Sequence, residues 1–164
     1  MRWPPRLNRP YRPCVGIMLV NRDRLVFVAK RIEGHIKSNA WQMPQGGVDK
    51  GENKREAALR ELKEEIGTNN VTILAQAKQD YTYDLPPNLM GRFWDGKYRG
   101  QRQTWFLMRF EGSDDEINIH TEDPEFSDWQ WIDLPQLHDV VVPFKRDVYD
   151  AVVEEFRCLI DEMD

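Results

Sequence analysis

The sequence predicts an α/β fold, an α/β/α sandwich in which a mixed β-sheet lies between helices. Three observations favour it: several apolar runs of strand length, a central stretch of helical character over residues 52–66, and an amphipathic segment over residues 146–163. Strands on both sides of a central helix, followed by a second long helix, are typical of this class. We expect a single domain over residues 14–164, preceded by a flexible arm over residues 1–13.

The predicted arm is rich in proline and arginine. Its thirteen residues hold four Pro, four Arg and no acidic residue. A packed helix is excluded because proline removes backbone donors. The arm either has no role or provides basic contacts to the phosphates of a ligand. It also lacks the apolar core of a signal peptide, which predicts a cytoplasmic location.

The first strands are predicted from two apolar runs. Residues 14–20 and 25–30 are apolar and β-branched, and the polar residues 21–24 between them favour a turn, so we expect a β-hairpin. Residues 31–40 are polar and predict a loop. In residues 41–47, Pro and a Gly pair end a short strand.

The central helix is the clearest element. Residues 52–66 contain no Pro or Gly, and Gly67 follows where a glycine ends many helices. Pro135 predicts a short helical turn, and residues 146–163 place their apolar side chains on one face of a long helix. Further strands are predicted over residues 71–77, 104–110 and 129–132.

The composition excludes several classes of protein. Of 164 residues, 40% are hydrophobic and 31% are charged, and the net charge is −5. No apolar run approaches the roughly 20 residues of a membrane-spanning helix, and the many aromatic residues argue against disorder. A mildly acidic chain is not a general polyanion binder, so local cations or a metal must hold any phosphate. Cys14 and Cys158 show neither a disulfide framework nor zinc-ligand spacing.

Three acidic residues share one face of the central helix. At about 100° per residue, Glu61, Glu64 and Glu65 fall within an arc of about 100°. Carboxylates this close repel one another, and a hard divalent cation such as Mg²⁺ or Mn²⁺ removes that penalty. Taken alone, such a cluster is more typical of a solvated acidic face.

The residues around this cluster resemble the Nudix box. The match consists of Gly46, then five residues, Glu52, then seven, Arg60-Glu61-Leu62, then one, Glu64-Glu65, then one, Gly67. The resemblance implies a Nudix-type fold and a hydrolase that requires Mg²⁺, for which Mn²⁺ or another divalent cation can substitute. The family usually ends the box with an aliphatic residue, where this chain has Thr68, and we expect that change to affect local stability more than chemistry.

Motifs outside the box are similar to one branch of the family. They lie at residues 11–17, 41–47, 100–106, 116–118, 124–126 and 144–149. They resemble the bacterial RNA pyrophosphohydrolases, whose near relatives hydrolyse dinucleoside polyphosphates such as Ap4A. The resemblance therefore implies removal of pyrophosphate from 5′-triphosphorylated RNA, hydrolysis of Ap4A, or both.

The resemblance also implies a role for individual residues. The implied catalytic residues are Arg60, Glu61, Glu64, Glu65 and Glu125. Metal binding is implied for Gly46, Glu61, Glu64, Glu65 and Glu125. Substrate binding is implied for two cations that suit phosphate, two aromatic residues that suit a base, and one amide: Arg31, Lys145, Tyr83, Phe144 and Gln45.

Several alternatives remain open from the sequence. The general base is Glu61, Glu65 or Glu125, and Glu125 is otherwise a solvated loop acid. Tyr83 either binds substrate or only packs in the core. Two alternative functions are a nucleotide sensor without catalysis and a hydrolase of another nucleoside diphosphate derivative. We expect no membrane partner, and no stable protein partner is inferred.

Overall fold

The computed structural model describes residues 8–33, 36–90 and 93–163, which form one sheet flanked by helices. The strands are β1 (Tyr11–Val20), β2 (Val26–Glu33), β3 (Ile36–Gln42), β4 (Gln45–Gly47), β5 (Val71–Gln76), β6 (Tyr81–Asp84), β7 (Gly100–Phe110) and β8 (Phe126–Ile132). The helices are α1 (Lys54–Ile66), α2 (Pro87–Met90), α3 (Leu137–Val140) and α4 (Arg146–Asp161).

The sheet is mixed, as predicted. Its main path runs β3-β2-β1-β7-β5, while β4 pairs with β1, β6 with β7, and β8 with β2. The central pair β1 and β7 is parallel, and the other pairs are antiparallel. A parallel pair needs a long crossover, and here the chain between β1 and β7 includes α1 and the strands β2 to β6.

The two faces of the sheet bury two separate apolar clusters. Because side chains alternate along a strand, Ile17 of β1 packs in the cluster that holds Leu62 of α1. Its neighbour Met18 packs in the cluster that holds Val152 and Phe156 of α4. The sheet therefore lies between α1 and α4, which confirms the α/β sandwich.

The boundary of the predicted arm is corrected at its C-terminal end. Strand β1 begins at Tyr11 instead of residue 14, because Tyr11 pairs with Gly100 of β7 and the Pro13 carbonyl accepts a hydrogen bond from Val48 N at 3.1 Å. A proline therefore fits in this strand as an acceptor. Residues 1–7 of the predicted arm lie outside the described residues.

The predicted loop over residues 31–40 is wrong. Strand β2 continues to Glu33, and β3 begins at Ile36 and pairs with it in antiparallel fashion. The pairing uses backbone groups, so it does not require the apolar pattern by which strands are predicted. For the same reason the short strand β6 has no clear sequence signal, although it pairs with β7.

Helix α1 ends where predicted and begins two residues later than predicted. Asn53 caps its N-terminus, with the side chain accepting a hydrogen bond from Arg55 N at 2.8 Å. Gly67 ends it with φ +80°, in the left-handed region. The buried Thr68 follows, and its hydroxyl accepts a hydrogen bond from Asn70 N at 3.1 Å, which gives this polar side chain a partner.

Helix α4 ends at Asp161, two residues before the predicted end. In the part of the chain that the structure describes, neither it nor any other helix combines the length and the apolar character needed to cross a membrane.

We predict that Gly67→Ala destabilises the protein more than Gly51→Ala does. Both glycines have positive φ, of +80° and +76°. A Cβ at Gly67 would also lie 2.8 Å from the Asn118 carbonyl oxygen, whereas a Cβ at Gly51 meets no atom. Backbone strain alone costs about 1 kcal/mol at each site, and the contact adds about 1 to 2 kcal/mol at Gly67. Urea denaturation measures both, and equal losses would contradict the contact argument.

Candidate active site

A glycine in β4 allows α1 to approach the sheet at the acidic cluster. A methyl group added at Gly46 would collide with the Glu61 carboxylate. Only glycine therefore lets this side chain lie against the strand backbone. The position of Glu61 therefore requires glycine at residue 46.

Arg60 is the centre of the polar contacts on this face of α1. Its guanidinium binds Glu52 through two parallel hydrogen bonds, Nε to Oε2 at 2.7 Å and Nη2 to Oε1 at 2.8 Å. Nη2 also donates to the Gly47 carbonyl at 3.0 Å. Nη1 donates to Glu61 Oε1 at 3.0 Å and to Glu64 Oε2 at 3.2 Å. One cation therefore holds the preceding loop and two carboxylates of the cluster.

The Glu52 carboxylate is stabilised in its charged form. The hydrogen bonds from Arg60, and then the backbone N–H of Asp49, lower the pKa of Glu52 to about 2. Glu52 therefore stays ionised throughout the neutral range, and the loop between β4 and α1 stays attached to the helix.

Two glutamates of the cluster are buried and have raised pKa values. Burial raises the pKa of Glu65 well above its usual value, and the carboxylates of Glu125 and Glu61 raise it further. Burial raises the pKa of Glu61 to about 7, with smaller contributions from Glu64 and Glu125, while Arg60 acts against the increase. Glu125 is itself exposed, and its carbonyl accepts a hydrogen bond from Ile32 N at 2.8 Å. The structure thus brings all four glutamates together.

The donor set fits a hard divalent cation, although it does not form a closed cage. Among the described residues, no group of three or more Asp, Glu, His or Cys side chains is arranged to hold a metal ion. Glu61 and Glu64 are directed to Arg60. Both carboxylate oxygens of Glu65, however, are buried without a hydrogen-bond partner in the described structure, next to other carboxylates. Oxygen ligands of this kind are those that Mg²⁺ prefers.

A cavity of about 360 Å³ lies beside this cluster. Its wall includes all five residues for which substrate binding was predicted: Arg31, Gln45, Tyr83, Phe144 and Lys145. The cavity and the acidic cluster are linked by Arg31, which lines the cavity and whose charge acts on Glu65, where it opposes the rise in pKa.

Two aromatic rings and a buried lysine form one part of the cavity wall. The centroids of Tyr83 and Phe144 are 5.6 Å apart, and Lys145 Nζ lies 5.7 Å from the Tyr83 centroid. Lys145 is only 6% exposed. Tyr83 also belongs to the apolar cluster under α4, so it both packs in the core and lines the cavity. Burial raises its pKa.

Sequence reasoning missed other parts of the cavity. Trp41, Phe93 and Trp94 add aromatic surface, and Gln101 adds a polar group. The Arg12 guanidinium lies 5.2 Å from the Trp94 ring centroid, in a cation–π contact. The motifs at residues 11–17, 41–47 and 100–106 indicated some of these segments, but no local pattern shows which side chains point into a cavity.

Comparison with known proteins places these features in a family. A sequence model of the NUDIX domain matches residues 10–152. An RNA pyrophosphohydrolase of Cereibacter sphaeroides is 57% identical over 150 residues, which are 90% of this chain and 91% of that protein. An RNA pyrophosphohydrolase of Sphingopyxis alaskensis is 54% identical over 92% of this chain and 96% of its own length.

Solved structures with low sequence identity show the same fold. The E. coli dihydroneopterin triphosphate pyrophosphohydrolase has a TM-score of 0.68 at 19% identity, covering 89% of this chain and 99% of that one. A C. elegans Ap4A hydrolase, in a binary complex, has a TM-score of 0.64 at 17% identity, covering 91% and 98%. These two comparisons concern the fold alone.

We predict that Arg60→Lys destabilises the protein and frees the loop before α1. A lysine ammonium cannot reproduce the paired hydrogen bonds to Glu52 while also reaching Gly47 and Glu61. We expect a loss of about 1 to 2 kcal/mol in the free energy of unfolding. Hydrogen exchange should also become faster at the Asp49 amide. Arg55→Lys, on an exposed part of the same helix, is the control, and equal effects of the two changes would refute the central role of Arg60.

We predict that Glu61 makes the stability of the metal-free protein depend on pH. Its pKa is raised to about 7 in the folded state. The folded protein therefore retains a proton that the unfolded chain loses near pH 4.5, and stability falls as the pH rises from about 4.5 to 7. Between pH 4.5 and 8, wild type should lose about 1 to 2 kcal/mol more than Glu61→Gln, allowing for partial screening by solvent.

This measurement uses urea denaturation in the presence of a chelator. Glu56→Gln, an exposed change on the same helix, is the control and should keep the pH profile of the wild type. A Glu61→Gln profile that is parallel to that of the wild type would show that Glu61 does not titrate in this range.

Proposed function

The chain belongs to the NUDIX family of hydrolases, and we propose that it is an RNA pyrophosphohydrolase, which releases pyrophosphate from 5′-triphosphorylated RNA. It is an enzyme that acts on phosphorus anhydrides. The similarity to RNA pyrophosphohydrolases over nine tenths of the chain is the observation that carries the proposal. This substrate is made in the cytoplasm, where we propose that the protein acts.

The arrangement of the acidic cluster and the cavity supports this proposal. A triphosphate end combines a compact anionic chain with a nucleoside, and these need two different surfaces. The cavity offers cations and aromatic rings, and Arg31 in its wall also acts on the pKa of the buried Glu65, so the glutamates lie close to that wall. A substrate with its nucleoside in the cavity would therefore extend its phosphates toward the carboxylates.

Mg²⁺ is the proposed cofactor, with Mn²⁺ or another divalent cation able to replace it. Glu61, Glu64, Glu65 and Glu125 would hold it, together with the Gly46 carbonyl. When bound, the metal neutralises phosphate oxygens and makes bound water more acidic. The unpartnered, buried oxygens of Glu65 support this assignment most directly, because a buried carboxylate without a partner is costly.

The other residues bind and orient the substrate. Arg31 and Lys145 would donate hydrogen bonds to phosphate oxygens, and the rings of Tyr83 and Phe144 would contact a base. Arg60 would hold the carboxylates of Glu61 and Glu64 in position. The proton of the attacking water would pass to one of the three carboxylates that lie together at this site: Glu61, Glu65 or Glu125.

Dinucleoside polyphosphates such as Ap4A are a second candidate substrate. They contain the same anhydride bonds, and the aromatic wall of Trp41, Phe93, Trp94 and Phe144 can stack any base. Other nucleoside diphosphate derivatives share the anhydride as well. A sensor without catalysis is disfavoured because every carboxylate of the box is present.

The test is product analysis with end-labelled 5′-triphosphate RNA and Mg²⁺. We predict release of pyrophosphate, with a higher kcat/KM for this RNA than for Ap4A. Glu65→Gln should lower kcat by a factor of about 100 or more, because it removes a charged oxygen ligand. Glu56→Gln on the same helix is the matched control and should keep full activity.

A higher kcat/KM for Ap4A than for triphosphate RNA would contradict the proposed substrate and favour Ap4A. Tight binding of the RNA without any product would support the sensor. A fully active Glu65→Gln would contradict the role given to the buried carboxylate, whichever substrate is used.

A further inference from the structure

A buried chain of hydrogen bonds lies behind one wall of the cavity. Trp105 Nε1 donates to Gln103 Oε1 at 3.0 Å. Gln103 Nε2 donates to Gln101 Oε1 at 2.7 Å and to Gln45 Oε1 at 2.9 Å. All four side chains are at least nine-tenths buried. The chain links β7, on which three of them lie, to β4.

The indole fixes the direction of every bond in this chain. An indole N–H can donate and cannot accept, so the atom of Gln103 that faces Trp105 must be its amide oxygen. The NH₂ group of Gln103 then faces the other two glutamines, and each of them must present its oxygen to it. Because buried polar groups need partners, one donor determines the orientation of three amides.

This orientation leaves donor groups for the cavity. Gln45 and Gln101 line the cavity, whereas Gln103 lies behind them. Their oxygens are engaged with Gln103, so the groups that remain are NH₂ donors. Gln45 also lies within reach of the Tyr83 hydroxyl, whose pKa is raised by burial and lowered in part by this contact.

We propose that Trp105 and Gln103 are positioning residues, which turn the amide donors of Gln45 and Gln101 toward the cavity so that it selects ligand groups with acceptor oxygens. Arg31 and Lys145 in the same wall are donors as well. A ligand group that itself donates would leave these donors unpaired, which is costly in a buried site. The inference rests on the proposed function, in which phosphate oxygens are the acceptors; the carbonyl oxygens of a base present the same chemistry.

Trp105→Phe is the first test. It keeps an aromatic ring against Tyr149, which the indole contacts edge-on at 5.7 Å between centroids, and it removes the indole N–H that donates to Gln103. Gln103 is then free to turn, and the donors facing the cavity are no longer fixed. We predict that KM for triphosphate RNA rises about tenfold, the effect of losing roughly one hydrogen bond, while kcat changes less than twofold.

Trp131→Phe is the matched control. It also removes an indole donor, which binds Asp114 Oδ1 at 3.0 Å at an exposed position. Trp131 packs with the cluster under α1 and does not line the cavity. This variant should keep the KM and kcat of the wild type.

Gln103→Glu is the second test, and it tests the positioning role even if Trp105→Phe does not fold. When ionised, the carboxylate still accepts from the indole and has no proton to donate; this test is therefore made at high pH, because burial favours the protonated form. Gln45 and Gln101 should turn their NH₂ groups to it and away from the cavity. We predict a rise in KM at least as large as that of Trp105→Phe.

Two direct measurements do not depend on turnover. Binding of inorganic tripolyphosphate, which has phosphate oxygens only, is compared with binding of guanosine, which has a base carbonyl and no phosphate. We expect both variants to bind at least one of these probes about tenfold more weakly, and the affected probe identifies the source of the acceptor. By NMR, the Gln103 NH₂ protons should exchange slowly in wild type and faster in Trp105→Phe.

These outcomes separate the inference from the proposed function. If wild type releases no pyrophosphate from RNA but both variants weaken binding of a probe, the function fails and the positioning role stands. Unchanged KM and unchanged probe affinities in both variants would overturn the positioning role, even with an active wild-type enzyme. Rapid exchange of the Gln103 NH₂ protons in wild type would also overturn it.

Discussion

The site depends on holding several carboxylates close together, two of which are buried. Glu65 and Glu61 are buried, which disfavours their charged forms and raises their pKa values. Arg60 offsets part of this cost by binding Glu61 and Glu64, and it also fixes Glu52 and the Gly47 carbonyl. Without this cation, the acidic face of α1 and the loop before it would repel and separate. A cluster of carboxylates held in this way can bind a positively charged ligand.

The sheet brings this cluster to the cavity by close backbone approach. Strand β4 is only three residues long, yet Gln45 lines the cavity and Gly46 lies against Glu61. On the other side of β1, the parallel strand β7 supplies Gln101 to the cavity and Gln103 and Trp105 behind it. The cavity therefore lies on the same sheet against which the helix with the acidic cluster packs.

Strong local signals were predicted well from the sequence, and weak ones were not. The end of α1 at Gly67 and the acidic face were predicted because helical periodicity and glycine act within a few residues. Strands β3 and β6 were not predicted, because backbone pairing with β2 and β7 stabilises them without an apolar pattern. The start of β1 was placed three residues late for the same reason, since its parallel partner lies far away in sequence.

The sequence by itself determined which residues lie together in the segment from β4 to the end of α1: Gly46, Glu52, Arg60 and three glutamates are close because one loop and one helix connect them. Only the tertiary structure decided which residues share the cavity. Trp41, Gln101 and Lys145 come from three distant segments and meet because the sheet and the helices on it pack together. The burial that raises the pKa of Glu65, and the direction in which the Trp105 indole turns the glutamine amides, are likewise properties of the folded protein. Desolvation and hydrogen-bond direction exist only once these segments are in contact.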